Sequence, residues 1–88
     1  MDITDRAKLL LGMASLEDLA KPNSKEYVRW QNIKRGRARF GAVEIEELGK
    51  LYPNWAFWLT TGNVAPEIGQ TSPAYDQANE TSGKQNAG

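Results

Sequence analysis

Apolar side chains recur at three- and four-residue steps through the first sixty positions of the chain and then lose their rhythm. Ile3, Ala7, Leu10, Leu11 and Ala14 share one face of a helix over residues 3–14, with Asp5, Arg6 and Lys8 elsewhere on the wheel. Asp2 and Asp5 stand three apart at its start, a capping pattern, and Gly12 weakens its last turn. Ser15, with Asp18 three residues on, opens a short second helix whose apolar side is Leu16, Leu19 and Ala20. Pro22 stops it, because the residue before a proline is pushed out of helical geometry. Asn23 or Ser24 caps a third helix, Asn23 with Glu26 forming a box-like start, which runs to about Arg35 and ends at Gly36. Residues 42–52 form a fourth, with Val43, Ile45, Leu48, Leu51 and Tyr52 opposite Glu44, Glu46, Glu47 and Lys50. Pro53-Asn54 breaks it, and Trp55, Trp58 and Leu59 line a very short fifth helix that Gly62 ends. The pattern predicts an all-α domain over residues 1–62.

Beyond Gly62 the chain turns polar, rich in Gly, Ser, Thr, Asn and Gln. Residues 63–88 read as a tail, disordered from about Ser72 because it has too little apolar surface to offset the entropy of ordering. Val64 and Ile68 are the side chains available to hold residues 63–70 on the domain. A chain ending near Gln70 is therefore expected to fold as well as the full one.

At 88 residues there is room for one compact domain. Cysteine and histidine are both absent, which excludes disulfides, thiol nucleophiles, thiolate or imidazole metal sites and the usual general base. The Glu44-Glu46-Glu47 cluster reads as a solvated helix face rather than a metal site, and neither an enzyme nor a cofactor is expected. The opening residues lack a basic-then-apolar leader, and no apolar run approaches the ~20 residues of a membrane span. A cytoplasmic protein is the expectation.

Net charge is zero, yet its distribution is uneven. Residues 25–39 hold six basic side chains (Lys25, Arg29, Lys34, Arg35, Arg37 and Arg39) against Glu26 alone, while the segments on either side are slightly acidic. Such a block is either a solvated run or a footprint for a polyanion. The spacing of small and apolar residues favours the second. A helix-turn-helix needs a small residue inside its first helix so that the second can cross closely, a permissive turn residue four positions later, and two apolar residues on the inner face of its second helix. Ala20, Ser24, Trp30 and Ile33 stand at those steps.

With these residues the sequence resembles the phage-repressor and Cro-like helix-turn-helix family, the XRE type. The resemblance spans residues 3 to about 62. It includes Ser15-Leu16-Glu17-Asp18-Leu19-Ala20 before the turn, Ile33-Lys34-Arg35-Gly36 closing the second helix, and the ending Trp58-Leu59-Thr60-Thr61-Gly62. Two departures are visible: Ser24-Lys25 where members usually carry glycine and a small apolar residue, and Pro22 where the first helix of the motif usually continues. The resemblance implies a compact five-helix, lambda-repressor-like DNA-binding domain.

Setting Trp30 and Ile33 inward turns Lys25, Val28, Gln31, Asn32 and Arg35 outward, with Tyr27 and Arg29 on the flanks. Amide side chains pair with adenine, lysine or arginine with guanine, and valine or tyrosine contacts a thymine methyl. The resemblance implies base readout from the early and outward residues of this helix, here Lys25, Tyr27, Val28, Gln31 and Asn32. Lys34, Arg35, Arg37 and Arg39 surround Gly36 where, by the resemblance, the phosphate backbone is met, and Arg29 joins them as an expected phosphate contact. Trp30 reads as core, whereas the flank position of Tyr27 leaves core and groove both open. Trp55, Phe57 and Trp58 read as core anchors, with one of them facing a dimer partner as the alternative. The resulting expectation is a small transcriptional regulator that binds double-stranded DNA as a homodimer on a palindromic site. A helix-turn-helix scaffold acting through a protein partner, antitoxin-like or inhibitory, is the alternative.

Overall fold

Nearly every helix begins where a side chain takes up its free amides. The computed structural model describes the backbone of residues 1–87 and the side chains of residues 1–80. Helix α1 (Ile3–Met13) opens on a reciprocal capping box: Asp5 N donates to Asp2 at 2.9 Å, and Asp2 N donates to Asp5 at 3.3 Å. Ser15 caps α2 (Leu16–Leu19) by accepting from Glu17 N at 3.3 Å, so the expected partner Asp18 is not used. Helices α3 (Lys25–Lys34), α4 (Ala42–Leu51), α5 (Ala56–Thr61) and α6 (Pro73–Ala87) follow, with 3₁₀ turns at Pro53–Trp55 and Pro66–Ile68. The first five agree with the all-α reading and nearly with its boundaries.

Helix α1 packs on α3, α4 and α5, and α2 packs on α3 and α4. Between them lie Ala7, Leu10 and Leu11 of α1, Trp30 and Ile33 of α3, Leu48 of α4 and Leu59 of α5, all buried. Leu10, Leu48 and Leu59 are wholly enclosed, one from each of three helices. Each contributes about 1.5–3 kcal/mol by leaving water. Leu16, Leu19, Ile45, Trp55 and Trp58 close the edges of this core. Phe57 remains exposed, so it is not the core anchor that its type implied.

The turn of the helix-turn-helix differs from the spacing argument by one residue. Helix α2 ends at Leu19, and Ala20 is an extended cap rather than a residue inside the helix. Asn23, with φ +69°, takes the left-handed position, which asparagine tolerates better than most side chains. Ser24 is the N-cap of α3, its Oγ accepting from Tyr27 N at 3.1 Å and donating to Lys21 O at 2.7 Å. The choice left open between Asn23 and Ser24 thus falls on Ser24, and the Asn23–Glu26 box does not form. A hydroxyl reaches the α3 amides only because Asn23 turns the chain back first.

Arg6, assigned by periodicity to the polar side of α1, is buried. Its Nε donates to Leu59 O at 2.9 Å and its Nη1 to Met1 O at 2.6 Å. The long side chain therefore satisfies a carbonyl in the last turn of α5, just before Gly62 turns left-handed at φ +79°.

The packed body also extends past Gly62. Residues 63–70 do lie on it, but Val64 and Ile68 are exposed and do not hold them. Gln70 does: its Oε1 accepts from Phe57 N at 3.0 Å and its Nε2 donates to Pro53 O at 3.0 Å. A backbone bond from Thr71 N to Asn54 O, 2.8 Å, carries the chain onward. The loss of order expected from about Ser72 does not begin there. Ser72 is buried and caps α6 through Tyr75 N at 3.0 Å, and Asp76 accepts the indole N–H of Trp55 at 2.8 Å. Polar bonds anchor this segment, and an apolar-periodicity argument does not register them. The disorder expected of residues 81–88 lies outside the residues whose side chains are described.

Candidate nucleic-acid interface

Helix α3 is anchored in the core by two residues, and the rest of its surface is exposed or half-buried. Trp30 and Ile33 are 3% and 5% exposed, the inward pair expected from their spacing. Lys25 and Val28 project into solvent, Val28 at 49% exposure. Tyr27, Gln31 and Asn32 are half-buried. All five residues assigned to base readout thus lie on one helix with some surface available. Lys25 and Val28 are the most prominent, and the two amides sit at the margin where the helix meets the domain. Glu26 in the first turn complements the positive end of the helix dipole.

The helix ends in a turn that gathers cations. Gly36 takes φ +79°, and the backbone carbonyl of Asn32 accepts from Arg37 N at 2.8 Å and from Ala38 N at 3.2 Å. This closure fixes where residues 35–39 leave the helix. Lys34, Arg35, Arg37 and Arg39 are exposed around Gly36, and among the described residues none of their side chains makes an ion pair. Cations without acidic partners keep their attraction for an external polyanion.

Arg29 behaves differently from the other basic residues. Its Nη2 donates to Glu44 Oε1 at 2.9 Å and to Arg39 O at 3.1 Å. The same Glu44 oxygen accepts from Gly41 N at 2.7 Å, so one carboxylate caps α4 and holds α3. Glu44 is consequently buried and not part of a solvated face; only Glu46 and Glu47 remain there, paired with Lys50. The Arg29 hydrogen bond holds the Glu44 carboxyl below its ordinary pKa, and the Gly41 amide adds to this, against a desolvation effect of opposite sign. Arg29 is held above its own ordinary value by the same bond. Its Nη2 therefore ties α3 and the Arg39 backbone to α4, while the side chain as a whole stays half-exposed. The role of Glu44 was readable in principle: Gly41 and Glu44 stand at the same three-residue step as Asp2 and Asp5.

Among the described residues no group of three or more acidic side chains is disposed to hold a metal ion, and no helix is long and apolar enough to cross a membrane. No protein-family model and no curated protein matches the chain. Among solved structures it is similar to Pf6r, from the filamentous phage Pf6 of Pseudomonas aeruginosa. The two share 32% sequence identity and a TM-score of 0.81, over 92% of this chain and 96% of that one.

Proposed function

Because the chain belongs to the family of the filamentous-phage protein Pf6r, we propose that it is a DNA-binding transcriptional repressor of the Cro-like, XRE-type helix-turn-helix class. The observation that carries the reading is the surface at the end of α3. Lys34, Arg35, Arg37 and Arg39 surround a left-handed glycine without ion-pair partners among the described residues, at the end of a helix that also exposes Lys25 and Val28. On this reading Lys25, Tyr27, Val28, Gln31 and Asn32 meet base edges in the major groove, and the four cations of the turn hold the phosphate backbone. Arg29 orients the helix through Glu44 and the Arg39 carbonyl. The protein acts in the cell interior, without catalysis, on a two-fold site whose halves lie about one helical turn apart, bound by a homodimer.

Selection of bound sequences from random duplex DNA tests this directly. A single enriched motif with two-fold symmetry is the expected outcome. Recovery of no motif, together with binding that ignores salt, would overturn the reading.

A second reading, in which the helix-turn-helix is a scaffold for a protein partner, is favoured by one feature. An apolar groove of about 710 Å³ runs between α1 and α6, lined by Met1, Leu9, Met13, Trp55 and Trp58. A stable complex formed in the absence of DNA supports that alternative.

A further inference from the structure

The basic surface has a contributor that sequence position conceals. Lys8 is 17 residues before the charge block, on a different helix, yet it lines two clefts that meet at Gly36. One, of about 410 Å³, is formed with Thr4, Gly36 and Arg39, and the other, of about 470 Å³, with Gly12, Lys34, Arg35 and Gly36. Among the described residues no carboxylate lines either cleft. Two other depressions contrast with this: the apolar groove carries Asp76 and Glu80, and one beside Arg29 carries Glu26, Glu44 and Glu47.

Lys8 has an acidic neighbour one turn earlier on α1, but Asp5 is engaged elsewhere. Its carboxylate accepts from Asp2 N in the capping box, and among the described residues Lys8 makes no ion pair. The clefts are also open at their glycines, since a Cβ built at Gly12 or Gly36 meets nothing within 4 Å. A pair of concave surfaces lined by cations, with low-dielectric walls and no internal counter-charge, concentrates positive potential toward an approaching phosphate.

We infer that Lys8 belongs to the phosphate-contacting surface, so that the DNA backbone runs from the Arg37–Arg39 turn across Gly36 onto the flank of α1. This rests on the DNA-binding reading above and extends it to a residue outside the helix-turn-helix. The footprint along one strand is correspondingly longer than α3 and its turn alone would give.

The experiment uses the full chain and a mixed-sequence duplex about two helical turns long. Binding is titrated over a range of salt concentrations for wild type, Lys8→Ala, Lys8→Glu and Lys50→Ala. Lys50 is an exposed lysine of α4 paired with Glu46 and Glu47, outside both clefts. Lys8→Ala should lower the salt exponent by about 0.9, one phosphate contact, and weaken binding roughly five- to tenfold at 0.1 M salt. Lys8→Glu should weaken it further, and Lys50→Ala should leave the exponent unchanged. DNA should also protect the Lys8 amine from acetylation while Lys50 stays reactive. Wild-type binding with a steep salt dependence that Lys8→Ala does not alter would overturn this inference and leave the DNA-binding reading standing. Wild-type protein that binds no duplex at any salt concentration would overturn both.

Discussion

Arg29 and Glu44 are joined by a 2.9 Å ion pair that fixes α3 to α4, and the carboxylate oxygen in that pair also caps α4 through the Gly41 amide. The arginine is half-exposed, while the glutamate side chain is only 10% exposed. One buried oxygen therefore governs both the start of a helix and the orientation of its neighbour.

Glu44→Gln should lower stability at neutral pH by about 1–3 kcal/mol, because a neutral amide is a poorer acceptor for both donors. The pH dependence follows from the direction of the shift. A carboxyl held below its ordinary value of 4.5 contributes stability above that value and loses it as pH falls through the lowered folded pKa. Thermal melts from pH 7 to pH 3 should show wild type losing more stability on acidification than Glu44→Gln. Parallel melting curves would remove Glu44 from the account of acid unfolding.

Replacing Arg37 and Arg39 together by alanine should weaken binding to selected and random duplexes alike and reduce the salt exponent by roughly two charges. Folding should be untouched, since both side chains are exposed. Affinity titrations at several salt concentrations measure both quantities; an unchanged slope would take the pair off the backbone surface.

Alanine at Gln31 or Asn32 should cost about 1–3 kcal/mol on the best-bound sequence and much less on random DNA. The closure of α3 uses the backbone carbonyl of Asn32, not its amide side chain, so the fold should survive the change. Competition between a selected and a scrambled duplex separates the two effects. Equal losses on both would assign these residues to packing or backbone contact instead of base reading.

Shortening the chain to end at Gln70 should destabilise the domain, contrary to what composition predicts. It removes the bond from Thr71 to Asn54, the Ser72 cap and the Asp76 acceptor for the Trp55 indole. Asp76→Ala alone should cost about 1 kcal/mol. Each kcal/mol lost lowers the melting midpoint of a domain this size by roughly 4–8 °C. A chain ending at Glu80 keeps all three bonds and should melt above the one ending at Gln70, and equal melting of the two would mean that residues 71–80 contribute nothing.

Local chemistry made much of this protein legible before its structure. Periodicity and proline position located five helices, because burial of Leu10, Leu48 and Leu59 requires apolar residues at helical steps whatever the neighbours are. The inward pair Trp30 and Ile33 followed from the same rule, and the basic block around Gly36 from counting charge. Tertiary structure alone decided which polar residues turn inward. Arg6 reaches the end of α5, Glu44 serves two helices at once, Asp76 anchors a segment whose composition reads as tail, and Lys8 joins a charge cluster that lies far from it in sequence. A hydrogen bond is directional, and each donor or acceptor has only one to a few sites to fill. Which donor meets which acceptor thus depends on how helices cross in space, and the linear order of residues does not encode that crossing one position at a time.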